Sequence, residues 1–228
     1  MNSSGATGSG NITIISNAPF VLDNGIISSD TFGVGKAGDI QIIAPSISLT
    51  NAAQLSASTH STGSGGNISL VAFEQVELNG EATNIPLGIF EREDSSNYTG
   101  IPPGTYLGGY IPNGTTIQPP SGTVFPSGVF SQTTVGATGS AGDISIVTGR
   151  LIIKDGAAIA TTLWGKGGNA GNTSISVKAK DSISITNGGS ILSGVAGGAS
   201  GNSGNIELIT PSLSQSGVVL RKVSPGAK

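Results

Sequence analysis

The sequence predicts an all-β chain wound as a parallel β-helix, with three short strands in each coil of about 28 residues, about six coils and one long inserted loop. Three observations carry this reading. A Gly-Asn/Asp anchor, usually followed by Ile, occurs six times: Gly10-Asn11-Ile12, Gly38-Asp39-Ile40, Gly66-Asn67-Ile68, Gly142-Asp143-Ile144, Gly171-Asn172-Thr173 and Gly204-Asn205-Ile206. The steps between the anchor glycines are 28, 28, 76, 29 and 33 residues, the interval of a stack of like units. Within a unit, apolar and polar residues alternate in three separate stretches, each of which reads as a strand with one buried face.

The unit spanning 38–65 shows the elements in order. Ile40-Gln41-Ile42 is the first strand, and Ala44-Pro45-Ser46 breaks it. Ile47-Ser48-Leu49 is the second, ended by Thr50-Asn51-Ala52-Ala53. Leu55-Ser56-Ala57-Ser58-Thr59 is the third, with smaller residues, and the Ser/Thr/Gly stretch 61–65 turns into the next anchor. No segment is long enough, or rich enough in helix formers, for a helix. The columns recur: Ile12 and Ile14, Ile40 and Ile42, Ile68 and Leu70, Ile144 and Ile146, and Ile206 and Leu208 in the first strand. In the second they are Phe20 and Leu22, Ile47 and Leu49, Val76 and Leu78, Leu151 and Ile153, and Ile183 and Ile185. The third begins at Ile27, Leu55, Phe130, Ile159 and Ile191. A single coil cannot bury enough on its own, so stability belongs to the stack.

Two polar columns occupy corners. One is Asn11, Asp39, Asn67, Asp143, Asn172 and Asn205; the other is Asn24, Asn51, Asp155 and Asn187, with Asn79 shifted by one residue. Stacked carboxylates suggest a metal ladder. Asn outnumbers Asp in both columns, and the Gly-Gly-x-Gly-x-Asp nonapeptide of calcium-binding β-rolls is missing. The favoured reading is a turn ladder in which side chains satisfy backbone groups.

The irregular step of 76 residues holds an insertion at 84–126, between two strands of the third coil. It carries seven of the eleven prolines and all three tyrosines, Tyr98, Tyr106 and Tyr110, with the charged run Glu91-Arg92-Glu93-Asp94. A long loop in a regular stack is a common place for function. The tyrosines are candidate contacts for a glycan or protein; the plainer reading is a flap whose aromatics pack on the rod. Pro112-Asn113-Gly114 suits the turn of a small two-stranded excursion. The domain expected is a single β-helix over 1–220, followed by a basic tail at 221–228.

Composition restricts function. Of 228 residues, 4% are aromatic, 10% are charged and 37 are Gly, so the interior is narrow and aliphatic. A net charge of −3 gives no basic groove for nucleic acid. Without Cys there is no thiol catalysis, disulfide or Cys-based zinc site. No apolar run is long enough to span a bilayer as a helix, and the N-terminal residues do not read as a secretory signal.

Chemistry is hard to place on this chain. A polysaccharide lyase or hydrolase on a β-helix is the enzymatic alternative, and it requires carboxylates converging on one face. The acidic residues are scattered, and the close pairs Glu91/Glu93 and Glu74/Glu77 lie outside the regular strands or beside a corner. The sole histidine, His60, reads as a solvated turn residue. Trp164 has two roles open to it, corner cap or exposed ring. An ice-binding solenoid is the third alternative, but Ser58-Thr59, Thr133-Thr134 and Thr161-Thr162 do not read as one aligned row. No catalytic residue, metal or cofactor is expected.

Residues 142–157, Gly-Asp-Ile-Ser-Ile-Val-Thr-Gly-Arg-Leu-Ile-Ile-Lys-Asp-Gly-Ala, and 126–133, Pro-Ser-Gly-Val-Phe-Ser-Gln-Thr, resemble the repeat body of filamentous-haemagglutinin-like exoproteins of two-partner secretion. The resemblance covers roughly 7–210, apart from most of the insertion. It implies a large right-handed β-helical protein, exported through a partner outer-membrane pore, displayed extracellularly at the cell surface and acting in adhesion. The Asn-Pro-Asn-type motif of the family's secretion domain is absent; Asn17-Ala18-Pro19-Phe20 does not match it. The chain therefore reads as a repeat-body segment, stalk or adhesin, and the family offers no catalytic residues to carry over.

Overall fold

Alternating aliphatic side chains at a fixed interval let each coil lay its strands on the last, and the computed structural model shows that stack. It describes residues 7–82, 125–133, 137–164, 173–196, 203–217 and 219–223. The described residues contain strands and no helix. Six first strands pair in parallel in the order β1 (Ile12–Ile15), β4 (Ile40–Thr50), β6 (Ile68–Asn79), β10 (Ile144–Lys154), β12 (Ser174–Thr186) and β14 (Asn205–Ile209). The separate second strands of the end coils, β2 (Phe20–Asp23) and β15 (Leu213–Ser216), join the same sheet on β4 and β12. Six third strands form the other main sheet: β3 (Ile26–Ser28), β5 (Gln54–Ser56), β9 (Gly128–Phe130), β11 (Ala158–Trp164), β13 (Ser190–Ala196) and β16 (Val219–Val223). Six rungs at the spacing of paired strands make a stack roughly 25 Å long.

In the four inner rungs the first and second strands run on as one, bent at the corner where the register shifts. The corner holds Pro45 alone in one rung, Phe73 and Glu74 in the next, Gly149 alone in the third, and Lys180 and Asp181 in the fourth. The extra residue of the longer corners is a bulge that bends the strand without breaking it. Gly149 fits beneath one bulge: a methyl on it would strike the backbone carbonyls of Phe73 and Glu74.

The core is the column set expected from sequence. Ile40, Ile42, Ile47, Leu49, Ile68, Leu70, Val76, Leu78, Ile144, Ile146, Leu151 and Ile153 are all at most 1% exposed and form one cluster. The fifth rung corrects the anchor reading. Ile144 pairs with Ile175 and Ser174 with Asn205, so the anchor there is Thr173-Ser174-Ile175 and not Gly171-Asn172-Thr173. Asn172 itself lies outside the described residues. With Ser174 in the column, the last two steps both become 31 residues. Ser replaces Asn/Asp because its N–H and hydroxyl both donate to Asp143, at 2.6 and 3.1 Å.

The third-strand sheet is buried on both faces. Leu55, Val129, Ile159 and Ile191 face the main core, whereas Phe130, Ala158 and Ala160 form a separate cluster on the other side. Gln54, Ser56, Ser58 and Gln132 on that second face are at most 3% exposed, although alternation alone would put them in water.

Most of the expected insertion, including Tyr98, Tyr106, Tyr110, the charged run and the Pro112-Asn113-Gly114 turn, lies outside the described residues. Its base is described: β7 (Glu81–Ala82) pairs antiparallel with β8 (Phe125–Pro126), just before β9. Leaving and returning strands are thus clamped together at one corner of the third coil.

Candidate functional site

Both corner columns are turn ladders. In the first, Asn11 Oδ1 accepts the N–H of Asp39 at 2.9 Å, Asp39 Oδ1 that of Asn67 at 2.8 Å, and Asn67 Oδ1 that of Asp143 at 2.9 Å. Asp39 is partly desolvated, but the Asn67 N–H and the Lys36 ammonium, 2.9 Å away, hold its carboxyl below the usual range. In the second column Asn24, Asn51, Asp155 and Asn187 all have positive φ, between 46° and 55°, the conformation Asn and Asp tolerate best. Asn51 Nδ2 donates to Asp23 Oδ1 at 2.6 Å, and Asn24 Nδ2 to the carbonyl of Asn51 at 3.0 Å. The first column's oxygens accept from the next rung, and in the second Asp155 Oδ1 accepts from Asn187 Nδ2. Among the described residues no group of three His, Asp or Glu side chains is placed to hold a metal ion.

His60 departs from its expected place as a solvated turn residue. Its side chain is 4% exposed, stacked on Phe32 at 4.3 Å between ring centroids, with Nε2 4.0 Å from Asp30 Oδ2. Asp30 is fully buried. Its Oδ1 accepts the Ser56 hydroxyl at 2.8 Å and the Ser58 N–H at 2.7 Å. Burial pushes the Asp30 carboxyl up to about 6 against these hydrogen bonds, and burial pushes the His60 imidazole down to about 3. Acid, imidazole and hydroxyls come together here, but Ser56 and Ser58 have no exposed surface, so the cluster sits inside the protein and presents nothing to a substrate. The sequence held no sign of this, because alternation leaves both Asp30 and His60 on an outward face and cannot say that the face is covered.

The threonine rows are also interior. Thr31 pairs with Thr59 and Thr59 with Thr133, whereas β11 registers Ala160 on Phe130, so Thr161-Thr162 lies off that row and the three pairs named from sequence do not align as one. Thr31, Thr59 and Thr133 are fully buried, and Thr31 and Thr59 donate to the carbonyls of Gly35 and Gly63 within their own turns. Of the close acidic pairs, Glu77 is bound to Lys154 at 2.9 Å, while Glu74 sits exposed on the bulge. Trp164 closes β11.

One surface feature runs through the first four rungs and, past a lysine in the fifth, returns in the sixth. Residues facing outward at the end of the first strand pair rung to rung as Ile15, Ile43, Val71, Val147, Lys178 and Ile209. Five of six are aliphatic, and Ile15, Val147 and Ile209 are 70%, 45% and 48% exposed. Phe73, 72% exposed, projects from the bulge two residues past Val71. The next outward column is polar: Thr13, Gln41, Ser69, Ser145, Ser176 and Glu207. The signal was present in sequence as a broken alternation. In Ile14-Ile15, Ile42-Ile43, Leu70-Val71, Ile146-Val147 and Leu208-Ile209, a second aliphatic follows the inward one. The rod thus carries exposed aliphatic groups beside a column of hydroxyls and amides, and exposed apolar patches are uncommon on monomeric surfaces.

No family model matches the chain, and searches of curated proteins and of solved structures found no match.

Proposed function

We propose that the chain is a non-enzymatic segment of a secreted, cell-surface protein, a β-solenoid stalk that also presents an adhesive face. The single observation behind this reading is the aliphatic column Ile15–Ile43–Val71–Val147, which Lys178 interrupts before Ile209, with Phe73 beside it. Holding exposed apolar groups in a straight row costs solubility and gains nothing for the core, so the row suits attachment to a surface, protein or glycan. A rigid stack places that row across four successive rungs, which favours many weak contacts over one pocket. The likeness of residues 142–157 to filamentous-haemagglutinin-like repeats agrees with export through an outer-membrane pore and display outside the cell. Tyr98, Tyr106 and Tyr110 of the insertion are secondary candidates for ligand contact.

Beads coated with the chain provide the test, measured for attachment to bacterial cells, to host cells and to a glycan array. The double variant Phe73→Ser, Val147→Lys is expected to lower attachment at least tenfold with an unchanged melting temperature. Attachment unaffected by that variant, or depolymerisation of an acidic polysaccharide by the purified chain, would overturn the reading.

A further inference from the structure

Asparagine is followed by glycine at Asn24-Gly25, Asn79-Gly80, Asn113-Gly114 and Asn187-Gly188, of which Asn113-Gly114 lies outside the described residues. Each of the other three stands at the corner where a second strand ends, in β2, β6 and β12. The dipeptide is chemically labile. Glycine leaves its own amide nitrogen unshielded, so that nitrogen can close on the side-chain amide carbon of the asparagine once the main chain turns to bring the two together. A hydrogen bond from the glycine N–H resists both steps, because it holds the proton and fixes the turn. Gly80 N–H donates to the Lys154 carbonyl at 3.2 Å and Gly188 N–H to the Gly217 carbonyl at 2.9 Å, each in the next rung. The related pair Asp155-Gly156 is held the same way, by the Asn187 carbonyl at 3.1 Å. The first rung is built differently. Asp23 pairs with Thr50 and Ile26 with Gln54, so Asn24-Gly25 faces Asn51-Ala52-Ala53 and its corner is one residue shorter. Asn24 Nδ2 takes the Asn51 carbonyl, at 3.0 Å. In longer corners a further N–H closes the turn, from Ala53 to Thr50 and from Gly189 to Thr186. Among the described residues the Gly25 N–H has neither kind of bond. The Asn24 N–H donates to Thr50 at 3.0 Å and the Gly25 carbonyl accepts from Gln54 at 2.8 Å, so the peptide between them is the part of this corner left out of the ladder.

We propose that Asn24 is a site of spontaneous self-modification, converting to aspartate and isoaspartate, while the fold preserves Asn79 and Asn187. Hydroxide takes the proton of the Gly25 amide, and the nitrogen attacks Asn24 Cγ. A C–N bond forms, the Cγ–Nδ2 bond breaks, and the leaving nitrogen takes a proton from water and departs as ammonia. Water then opens the cyclic imide at one or other carbonyl, giving aspartate or isoaspartate in place of the asparagine. Asn24 and Gly25 are half-buried, so hydroxide and water reach them. The product loses the Nδ2 donor to Asn51 and gains a carboxylate next to Asp23, whose Oδ1 already accepts from Thr50 at 2.7 Å and Asn51 at 2.6 Å. The isoaspartate form also lengthens the main chain of the corner. The modification lies in the corner ladder, away from the aliphatic column, and does not depend on the adhesive reading.

Peptide mapping by tandem mass spectrometry tests it, on the full chain stored folded in mildly alkaline buffer and on a sample stored unfolded in urea. In the folded chain, conversion of amide to acid is expected at Asn24 at least about tenfold faster than at Asn79 or Asn187, the factor one backbone hydrogen bond supplies. In urea the three sites, being the same dipeptide, are expected to convert at similar rates. Gly25→Ala is expected to suppress conversion at Asn24 by shielding the nitrogen. The nearest atom its methyl meets is Leu22 Cδ1, 2.8 Å away at the end of a side chain that can turn aside, and circular dichroism checks that the variant folds. Folded-state conversion at Asn79 or Asn187 as fast as at Asn24 would overturn the proposal. So would the same ranking of sites in urea, or undiminished conversion in folded Gly25→Ala.

Discussion

Asp30 and His60 share one buried environment with opposite effects on proton affinity. Asp30 rises from 3.8 to about 6, so its contribution favours the fold at low pH and is lost as pH rises through about 6. His60 falls from 6.5 to about 3, so its contribution is complete above 6.5 and is lost as pH falls toward 3. Between about 4 and 6 the unfolded chain carries one proton on the imidazole and the folded chain one on the carboxyl, and the two slopes cancel. Asp30→Asn keeps an acceptor for Ser56 and Ser58 but removes one slope. Unfolding free energies of this variant from urea titrations are expected to exceed wild type at pH 8 and to fall below pH 6.5 by up to about 1.4 kcal/mol per pH unit, where the wild type is flat. Equal pH profiles for the two proteins would show that the pair is not coupled to folding. The anchor glycines answer to a simpler constraint. A methyl on Gly66 would run into the carbonyl of Gly38, which belongs to the rung below and cannot yield. Gly66→Ala is expected to cost about 1–3 kcal/mol, read as a lowered urea midpoint with an unchanged slope.

Adjacent residues of one strand separate core from surface most sharply. Ile146 is fully buried and Val147 is 45% exposed. Ile146→Asp places an unpaired carboxylate among aliphatics and is expected to cost several kcal/mol, melting neighbouring rungs with it. Val147→Asp is expected to change stability by less than about 1 kcal/mol. Thermal melts of the two variants should differ accordingly; a similar loss in both would contradict the assigned faces. Such faces were legible in the sequence because inward columns repeat the same residue type: Ile40, Ile68 and Ile144 need no structure to be aligned. The fifth anchor was misread because a Gly-Asn pair two residues early mimics the motif, while Ser174 performs its hydrogen bonding with a hydroxyl. Continuity of the first and second strands was illegible because Pro45, Phe73-Glu74 and Gly149 all look like breaks, yet each is a bend within a continuous ladder. The outward aliphatic column was visible as doubled aliphatics, but alternation read strictly treats the second of each pair as noise. The buried outer face of the third sheet left no mark in local sequence at all.

For the whole molecule, the stack continues across the irregular step, because β6 pairs directly with β10 and β5 with β9. Ala82 and Phe125 are direct antiparallel partners, so their Cα atoms stand about 5 Å apart and a two-residue turn can join them. Replacing residues 83–124 with Asn-Gly is expected to give a chain that folds with a parallel-β circular dichroism spectrum and a single cooperative transition. Loss of that transition would mean the insertion is needed to complete the rod. The same variant in the bead assay apportions attachment between Tyr98, Tyr106 and Tyr110 and the column on the rod's side.

The corner ladder also has a direction in time. Asn11 comes before the N–H it accepts, Asp39 before the next, and Asn67 before the one after. Each acceptor is therefore already in place when its donor arrives on a chain that emerges N-terminus first from a ribosome. A finished rung is a template for the one still to come.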